Sequence, residues 1–134
     1  MERRYINPLE LALPKNYTHV VVTTSGRTVH VSGQLANNGD GEVVGKGDLR
    51  AQTVQVYENL KAALAAADAG FGDVVKITTY IVDLTPEKAQ VVREVRAQYV
   101  PAHPPASTTV GVTSLVNVDF LIEVEAVATV PDRR

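Results

Sequence analysis

The chain has no cysteine among its 134 residues. It therefore forms no disulfide, offers no thiolate to a metal ion and has no cysteine nucleophile, and an oxidising compartment gains no support. The N-terminal segment lacks the apolar stretch of a secretory signal, and no later apolar run is long enough to span a bilayer. These absences predict a soluble cytoplasmic protein without a membrane segment.

The net charge is small, and aromatic residues are few. Thirteen basic residues stand against fifteen acidic ones, which gives a formal net charge of -2, and aromatic residues make up 5% of the chain. A strongly basic surface for phosphates and a set of aromatic platforms for stacking bases are therefore both missing. Nucleic acid is not expected as a partner.

The residues that usually hold metals or nucleotides lack the required spacing. His19, His30 and His103 are not at i, i+4 or short-loop spacing. The glycine turns at 39–41 and 45–47 are not followed by the Lys-Ser/Thr of a nucleotide loop. We therefore expect no metal site and no nucleotide-binding loop.

Strand-like and helix-like segments alternate along the chain and predict one domain, residues 1–134, with the order ββαβαββ. The predicted elements are strands at 20–24 and 28–32 joined as a hairpin, a helix from Asp48 to Gly70 or Gly72, a strand at 74–82, a helix from Thr85 to about Val100, and strands at 107–113 and 119–130. This order predicts an α/β (α+β) fold, a sheet with two helices on one face.

The strand at 74–82 is apolar on both faces. One face carries Val75, Ile77 and Ile81, and the other carries Val74, Tyr80 and Val82. Because two helices cover only one face of a sheet, a second copy of the chain is the expected cover for the other face. The pattern predicts an oligomer.

Two carboxylates interrupt the apolar strand near the C-terminus. Glu123 and Glu125 share one face, whereas Ile122, Val124 and Ala126 share the other. A carboxylate among apolar neighbours is unfavourable unless it is paired, hydrogen-bonded or protonated. The pair indicates either a proton-transfer or water-positioning site in a cleft, or a solvated edge strand with structurally bonded glutamates, and the residues alone leave both open.

Ser107 and Thr109 share a face of the strand at 107–113, and Gly111 follows them. Such a strand suits a place where a ligand approaches the backbone closely. The other interpretation is an ordinary strand whose hydroxyls bond to neighbouring backbone, and these residues alone favour it.

Five segments in order carry more specific motifs. They are 29–34 (VHVSGQ), 51–62 (AQTVQVYENLKA), 73–80 (DVVKITTY), 105–108 (PAST) and 122–128 (IEVEAVA). Together they resemble the Rid family (YjgF, reactive intermediate deaminase) over roughly residues 15–130. The resemblance implies a chorismate-mutase-like fold and a homotrimer with small-molecule clefts at its subunit interfaces. It also implies hydrolysis of reactive enamines or imines to 2-keto acids and ammonia without metal or cofactor.

The resemblance assigns roles to individual residues. The first glutamate of the Ile-Glu-x-Glu-Ala motif, which positions the attacking water in the family, maps onto Glu123. Tyr17 matches a tyrosine of the family's entry motif, and Ser32 and Gly33 resemble residues that line the same pocket.

The family's carboxylate-binding arginine is missing. Ser107 stands at its position, with Thr109 further along the same face, and a serine offers one neutral donor on a short stem where a guanidinium offers two charge-assisted hydrogen bonds. Arg93 falls where many members have asparagine, and it is either a replacement cation or a surface arginine. Without the arginine, the cleft is predicted to have a negative field and to prefer a neutral or amine-bearing ligand.

Three functions follow from the resemblance. The first is a hydrolase or deaminase that acts on a substrate other than the usual 2-imino acids, with Glu123 as catalytic residue and weak or absent activity on 2-aminoacrylate and 2-iminopropionate. The alternative is a non-catalytic trimer that binds a metabolite or regulates. Ribonuclease activity or translation inhibition is the least favoured, because the charge balance is acidic and aromatic residues are few.

Overall fold

The computed structural model describes residues 1–132, and this part of the chain contains six strands and two α-helices. They are β1 (Glu2–Ile6), β2 (Val20–Thr24), β3 (Arg27–Gln34), α1 (Leu49–Ala66), β4 (Val74–Val82), α2 (Pro86–Arg96), β5 (Ala106–Val112) and β6 (Ile122–Val130). Four strands form one mixed sheet in the order β3-β6-β4-β5, in which only β4 and β5 are parallel. β1 and β2 form a separate antiparallel pair.

Both helices begin at the caps that the sequence pattern predicts. The Asp48 side chain accepts a hydrogen bond from the Ala51 amide at 3.0 Å. The Thr85 hydroxyl accepts one from the Lys88 amide at 3.2 Å, and Pro86 occupies the first helical turn. These bonds matter because the first amides of a helix have no partner inside it.

α1 ends at Ala66, before the glycines at which the sequence pattern places its end. Asp68 adopts the left-handed conformation with a φ of 58°. The Asp68 amide donates to the Ala65 carbonyl at 3.1 Å, and the Ala69 amide donates to the Leu64 carbonyl at 2.9 Å. An aspartate therefore closes the helix in the position that glycine usually takes.

The predicted hairpin between residues 20–24 and 28–32 is wrong. β2 pairs with β1 along all five residues of each strand, whereas β3 pairs with β6 in the larger sheet. The sequence pattern does not predict β1, so it assigns β2 to its neighbour along the chain.

Arg3 explains why β1 takes this place. Its guanidinium donates to the Thr129 hydroxyl at 3.2 Å and forms an ion pair of 2.6 Å with the Asp73 carboxylate. These partners lie 126 and 70 residues away along the chain. A long-range contact of this kind carries no local sequence signal.

The core lies between the four-stranded sheet and the two helices, which pack on the same face. Ile122, Val124 and Ala126 of β6 are buried there, which confirms the predicted alternation of this strand. The helices contribute Val56, Tyr57, Leu60, Leu64 and Val92 to the same cluster. The mixed sheet with two helices on one face confirms the predicted fold class.

Val74 does not lie on the second face of the sheet as predicted. The register of β4 against β6 shifts between Val74 and Lys76, and Val74 becomes 2% exposed inside the core. An extra residue breaks the two-residue alternation, so the side chain changes face. Tyr80 and Val82 stay on the open face and are half-buried. The open face is therefore less apolar than the sequence pattern predicts.

Candidate functional site

Glu123 lies on the open face of the sheet, opposite the buried Ile122 and Val124. Its carboxylate packs against Gly33, in the segment of β3 where the register against β6 shifts between Val31 and Gln34. A Cβ atom at Gly33 would lie 1.9 Å from Glu123 Oε2 and 2.8 Å from Cδ. Only glycine therefore leaves the carboxylate its observed position.

Glu125 lies on the same face but has a partner. It accepts a hydrogen bond of 2.5 Å from the Tyr80 hydroxyl, and this bond is the main reason why the pKa of Tyr80 is raised. Glu123 makes no hydrogen bond or ion pair within residues 1–132. The two alternatives for the acidic pair thus apply to different residues: Glu125 is bonded structurally, and Glu123 is free to bind or to react.

Ser107 and Thr109 lie on the opposite face of the same sheet. They are in register with Ile77 and Thr79 of β4, which are buried against the helices. Glu123 is in register with Tyr80, whose side chain is on the open face. One chain therefore separates the predicted site residues into two groups on opposite faces of the sheet.

The first group consists of Glu123, Gly33 and Ser32, which is exposed and precedes Gly33 in β3. The second group consists of Tyr17, Arg93, Ser107 and Thr109, which line one cavity of about 340 Å³ between α2 and the edge of β5. We call the first group the carboxylate group, and we call the cavity that the second group lines the α2–β5 pocket.

Arg96 belongs to the α2–β5 pocket and was not among the predicted site residues. It is only 9% exposed. Its NH1 group donates to the Ser107 hydroxyl and its NH2 group to the Asn16 carbonyl, both at 3.2 Å. Arg96 follows the buried Val92 by four positions and therefore lies on the apolar face of α2. An arginine at such a position is the sequence feature that could have identified it.

The charge of the α2–β5 pocket is positive. Lys15, Arg93 and Arg96 line it, and its lining contains no aspartate or glutamate. A second cavity of about 390 Å³ shares Arg93 and Arg96 with it and likewise has no acidic lining residue. The predicted negative field is therefore wrong for the α2–β5 pocket. That prediction rested on the missing arginine at position 107 and did not include the two arginines of α2.

One buried hydroxyl, that of Tyr57, is influenced by the charge of Arg96. The Tyr57 hydroxyl is fully buried and has no hydrogen-bond partner within residues 1–132. Burial raises the pKa of Tyr57 far above its usual value, and the positive charge of Arg96 opposes that rise. The charge of Arg96 thus acts on the buried Tyr57 hydroxyl.

Histidines and acidic residues do not gather into a metal site anywhere in residues 1–132. The His19 ring bonds to the Ala12 carbonyl at 2.7 Å, and the His103 ring stacks on Tyr5 with centroids 5.1 Å apart. Within the same range, no helix has the length and apolar character needed to cross a membrane.

Comparison with known proteins agrees with the motifs. The family model described as Endoribonuclease L-PSP matches residues 9–130. A RutC family protein of Pyrococcus abyssi is 42% identical over 104 residues, 77% of this chain and 79% of the relative. The 3-aminoacrylate deaminase RutC of Acinetobacter baylyi is 34% identical over 128 residues, 92% of this chain and 99% of that protein.

A solved structure gives the same result for the fold. YyfB from Yersinia pestis, a protein of unknown function from the Rid family, superposes with a TM-score of 0.88 at 42% identity. The superposition covers 97% of this chain and 100% of YyfB. The motifs, the fold and these relatives together place the chain in the Rid/YjgF family.

Proposed function

We propose that this chain is a cofactor-independent hydrolase of the deaminase type, in which Glu123 positions or deprotonates the attacking water. The observation that carries the proposal is the carboxylate of Glu123, which packs against Gly33 and has no partner within residues 1–132. A half-buried carboxylate without a hydrogen bond or cation is available to accept a proton from water. Its neighbour Glu125 already accepts a hydrogen bond from the Tyr80 hydroxyl.

The proposed reaction is the hydrolysis of a carbon–nitrogen double bond. Water adds to the imine carbon while Glu123 takes up the water's proton. Glu123 gives this proton to the nitrogen, so that one carbon carries a hydroxyl and an amino group. The hydroxyl proton then passes through Glu123 to the nitrogen as the carbon–nitrogen bond breaks, ammonia leaves, and a carbonyl group remains. These steps need no oxidant or reductant, because the electron pair of the broken carbon–nitrogen bond leaves with the nitrogen.

The proposed active form is a homotrimer with its cleft between subunits. The carboxylate group and the α2–β5 pocket lie on opposite faces of one sheet, so they cannot both contact one small molecule within one chain. A second copy, placed with its open face toward the edge of β5, brings one group of each chain together. The half-buried Tyr80 and Val82 on that face support such a contact.

The proposed substrate differs from the usual 2-imino acids, because Ser107 stands where the family has its arginine. The runner-up is a trimer that binds the same kind of small molecule without turnover. It is supported by the same pocket, since binding requires the α2–β5 side chains and not Glu123.

An experiment with matched variants separates these functions. Wild type, Glu123→Gln and Glu125→Gln are incubated with a small-molecule extract of cells, and consumption and ammonia release are followed by mass spectrometry and an ammonia assay. Glu125→Gln is the control because its amide oxygen still accepts the Tyr80 hydrogen bond. We expect turnover by wild type and by Glu125→Gln, and a loss of about 100-fold or more in Glu123→Gln.

Two results contradict the proposed catalysis. Equal turnover by wild type and Glu123→Gln means that Glu123 is not the catalytic residue. A retained but unchanged small molecule, bound by all three proteins, favours the binding function instead.

A further inference from the structure

Arg96 is a buried cation without an acidic partner. It is 9% exposed, and no aspartate or glutamate lies within ion-pair distance of it in residues 1–132. The acidic residue of α2 that does form an ion pair, Glu94, pairs with Arg50 at 3.1 Å. Burying a guanidinium without a counter-charge is unfavourable, so an anion that enters from outside the chain would be favoured at this place.

The guanidinium is also held in one orientation. Ser107 on β5 and the Asn16 carbonyl each accept one hydrogen bond from it, at 3.2 Å. Both acceptors are neutral, so they fix the position of the fork but leave its charge uncompensated. An arginine side chain has five N–H donors, and these bonds use two of them. A carboxylate matches the remaining planar fork better than a spherical ion does.

The α2–β5 pocket beside Arg96 has the size and lining for a small organic anion. Its volume of about 340 Å³ falls in the range of small-molecule sites. Arg93 and Lys15 add positive charge at the more exposed positions of the lining, whereas Leu84 and Ala89 supply apolar surface. This combination fits a carboxylate attached to a short apolar body.

We propose that Arg96 is the anion anchor of this protein and that its ligand is a small organic carboxylate. The guanidinium comes from α2, and Ser107 serves to position it. The inference rests on the proposed small-molecule site but not on turnover, because it concerns binding alone. It replaces the expectation of a neutral or amine-bearing ligand, and it assigns the role of replacement cation to Arg96 and not to Arg93.

This anchor is compatible with weak turnover of 2-imino acids. A carboxylate held from α2 does not lie where a guanidinium at position 107 would hold it, so the reacting carbon of a 2-imino acid is displaced. Displacement of about 1 Å is enough to reduce a rate by about 100-fold. Carboxylate binding and the hydrolysis of one particular carboxylate are therefore separate properties of the site.

The test compares a carboxylate with its uncharged isostere. Binding of 2-oxobutanoate and of 2-oxobutanamide to wild type is measured by calorimetry at low ionic strength. Arg96→Gln, Arg96→Lys and Arg93→Gln are measured in the same way. Arg93→Gln tests the competing anchor, because Arg93 is an exposed arginine that lines the same pocket one turn earlier on the same helix. Circular dichroism and sedimentation show whether each variant keeps its fold and assembly.

We expect wild type to bind the carboxylate at least about tenfold more tightly than the amide. Arg96→Gln should abolish this preference with less than a threefold change for the amide, Arg96→Lys should keep part of it, and Arg93→Gln should keep nearly all of it. If Arg96→Gln does not fold, the wild-type preference and the partial preference of Arg96→Lys still decide the question.

Three results overturn the inference. The first is that wild type binds the carboxylate no more tightly than the amide, or binds neither. The second is an unchanged preference for the carboxylate in folded Arg96→Gln. The third is loss of this preference in Arg93→Gln. Failure of the proposed catalysis gives a different result, namely a carboxylate that binds through Arg96 to a protein without turnover.

Discussion

Replacement of Gly33 by alanine should remove activity while leaving the fold intact. The added Cβ would lie 1.9 Å from Oε2, 2.8 Å from Cδ and 3.0 Å from Cγ of Glu123. These atoms are the outer part of a flexible, half-buried side chain, so Glu123 can rotate away and relieve the overlap. We therefore expect a loss of less than about 1 kcal/mol in the free energy of unfolding, below the usual cost of about 1–3 kcal/mol for overpacking a rigid core.

The effect on catalysis should be much larger than the effect on stability. A carboxylate displaced by an ångström or more no longer holds the attacking water in line, and such misplacement reduces rates by about 100-fold. Turnover of the metabolite consumed in the extract experiment reports this loss. Gly39→Ala is the control, because a Cβ there meets no atom within 4 Å and should change neither quantity.

A double-mutant cycle checks the mechanism independently of any substrate. In a Glu123→Ala background there is no carboxylate for the new methyl group to meet, so Gly33→Ala should cost no stability and cause no further loss of turnover. Chemical unfolding of the four proteins measures the coupling. Full activity in Gly33→Ala, or a loss of several kcal/mol that Glu123→Ala does not relieve, would refute this reasoning.

Three further predictions concern assembly, substrate and alkaline stability. Sedimentation equilibrium at micromolar concentration should give a trimer, since Tyr80 and Val82 on the open face are only half-buried within residues 1–132, and a folded monomer would contradict this. Wild type should barely accelerate hydrolysis of 2-iminopropionate generated by an amino-acid oxidase and trapped with semicarbazide, and Ser107→Arg should gain part of the activity; rapid hydrolysis by wild type would show that position 107 does not limit this substrate. Burial and the hydrogen bond to Glu58 raise the pKa of Tyr99 to about 12, so its contribution to stability is complete below its unfolded pKa of about 10 and is lost as the pH rises through 12. Tyr99→Phe should accordingly reduce the pH dependence of the unfolding free energy between these values, and an unchanged dependence would assign it to other groups.

Local patterns in the sequence determined most of the secondary structure. Period-two alternation identified β6 and the faces of Ile122 and Glu123, because each side chain's direction in a strand depends only on its neighbours. Asp48 and Thr85 marked the helix starts, since a cap acts on amides three residues away. The motifs that resemble the Rid family follow from the same local segments and led to Glu123, Gly33 and Ser107.

Only the tertiary structure decided features that join distant parts of the chain. The partner of β2 depends on β1, which Arg3 ties to Thr129. The face of Val74 depends on a register shift against β6, which leaves no mark in β4 itself. Ser107 and Glu123 lie on opposite faces because they pair with β4 at Ile77 and at Tyr80, whose side chains are on opposite faces of the sheet. The orientation of Arg96 depends on its hydrogen bonds to Ser107, 11 residues away, and to Asn16, 80 residues away. Each of these segments favours strand or helix whatever its partner is. The local sequence pattern therefore does not predict which segments make contact.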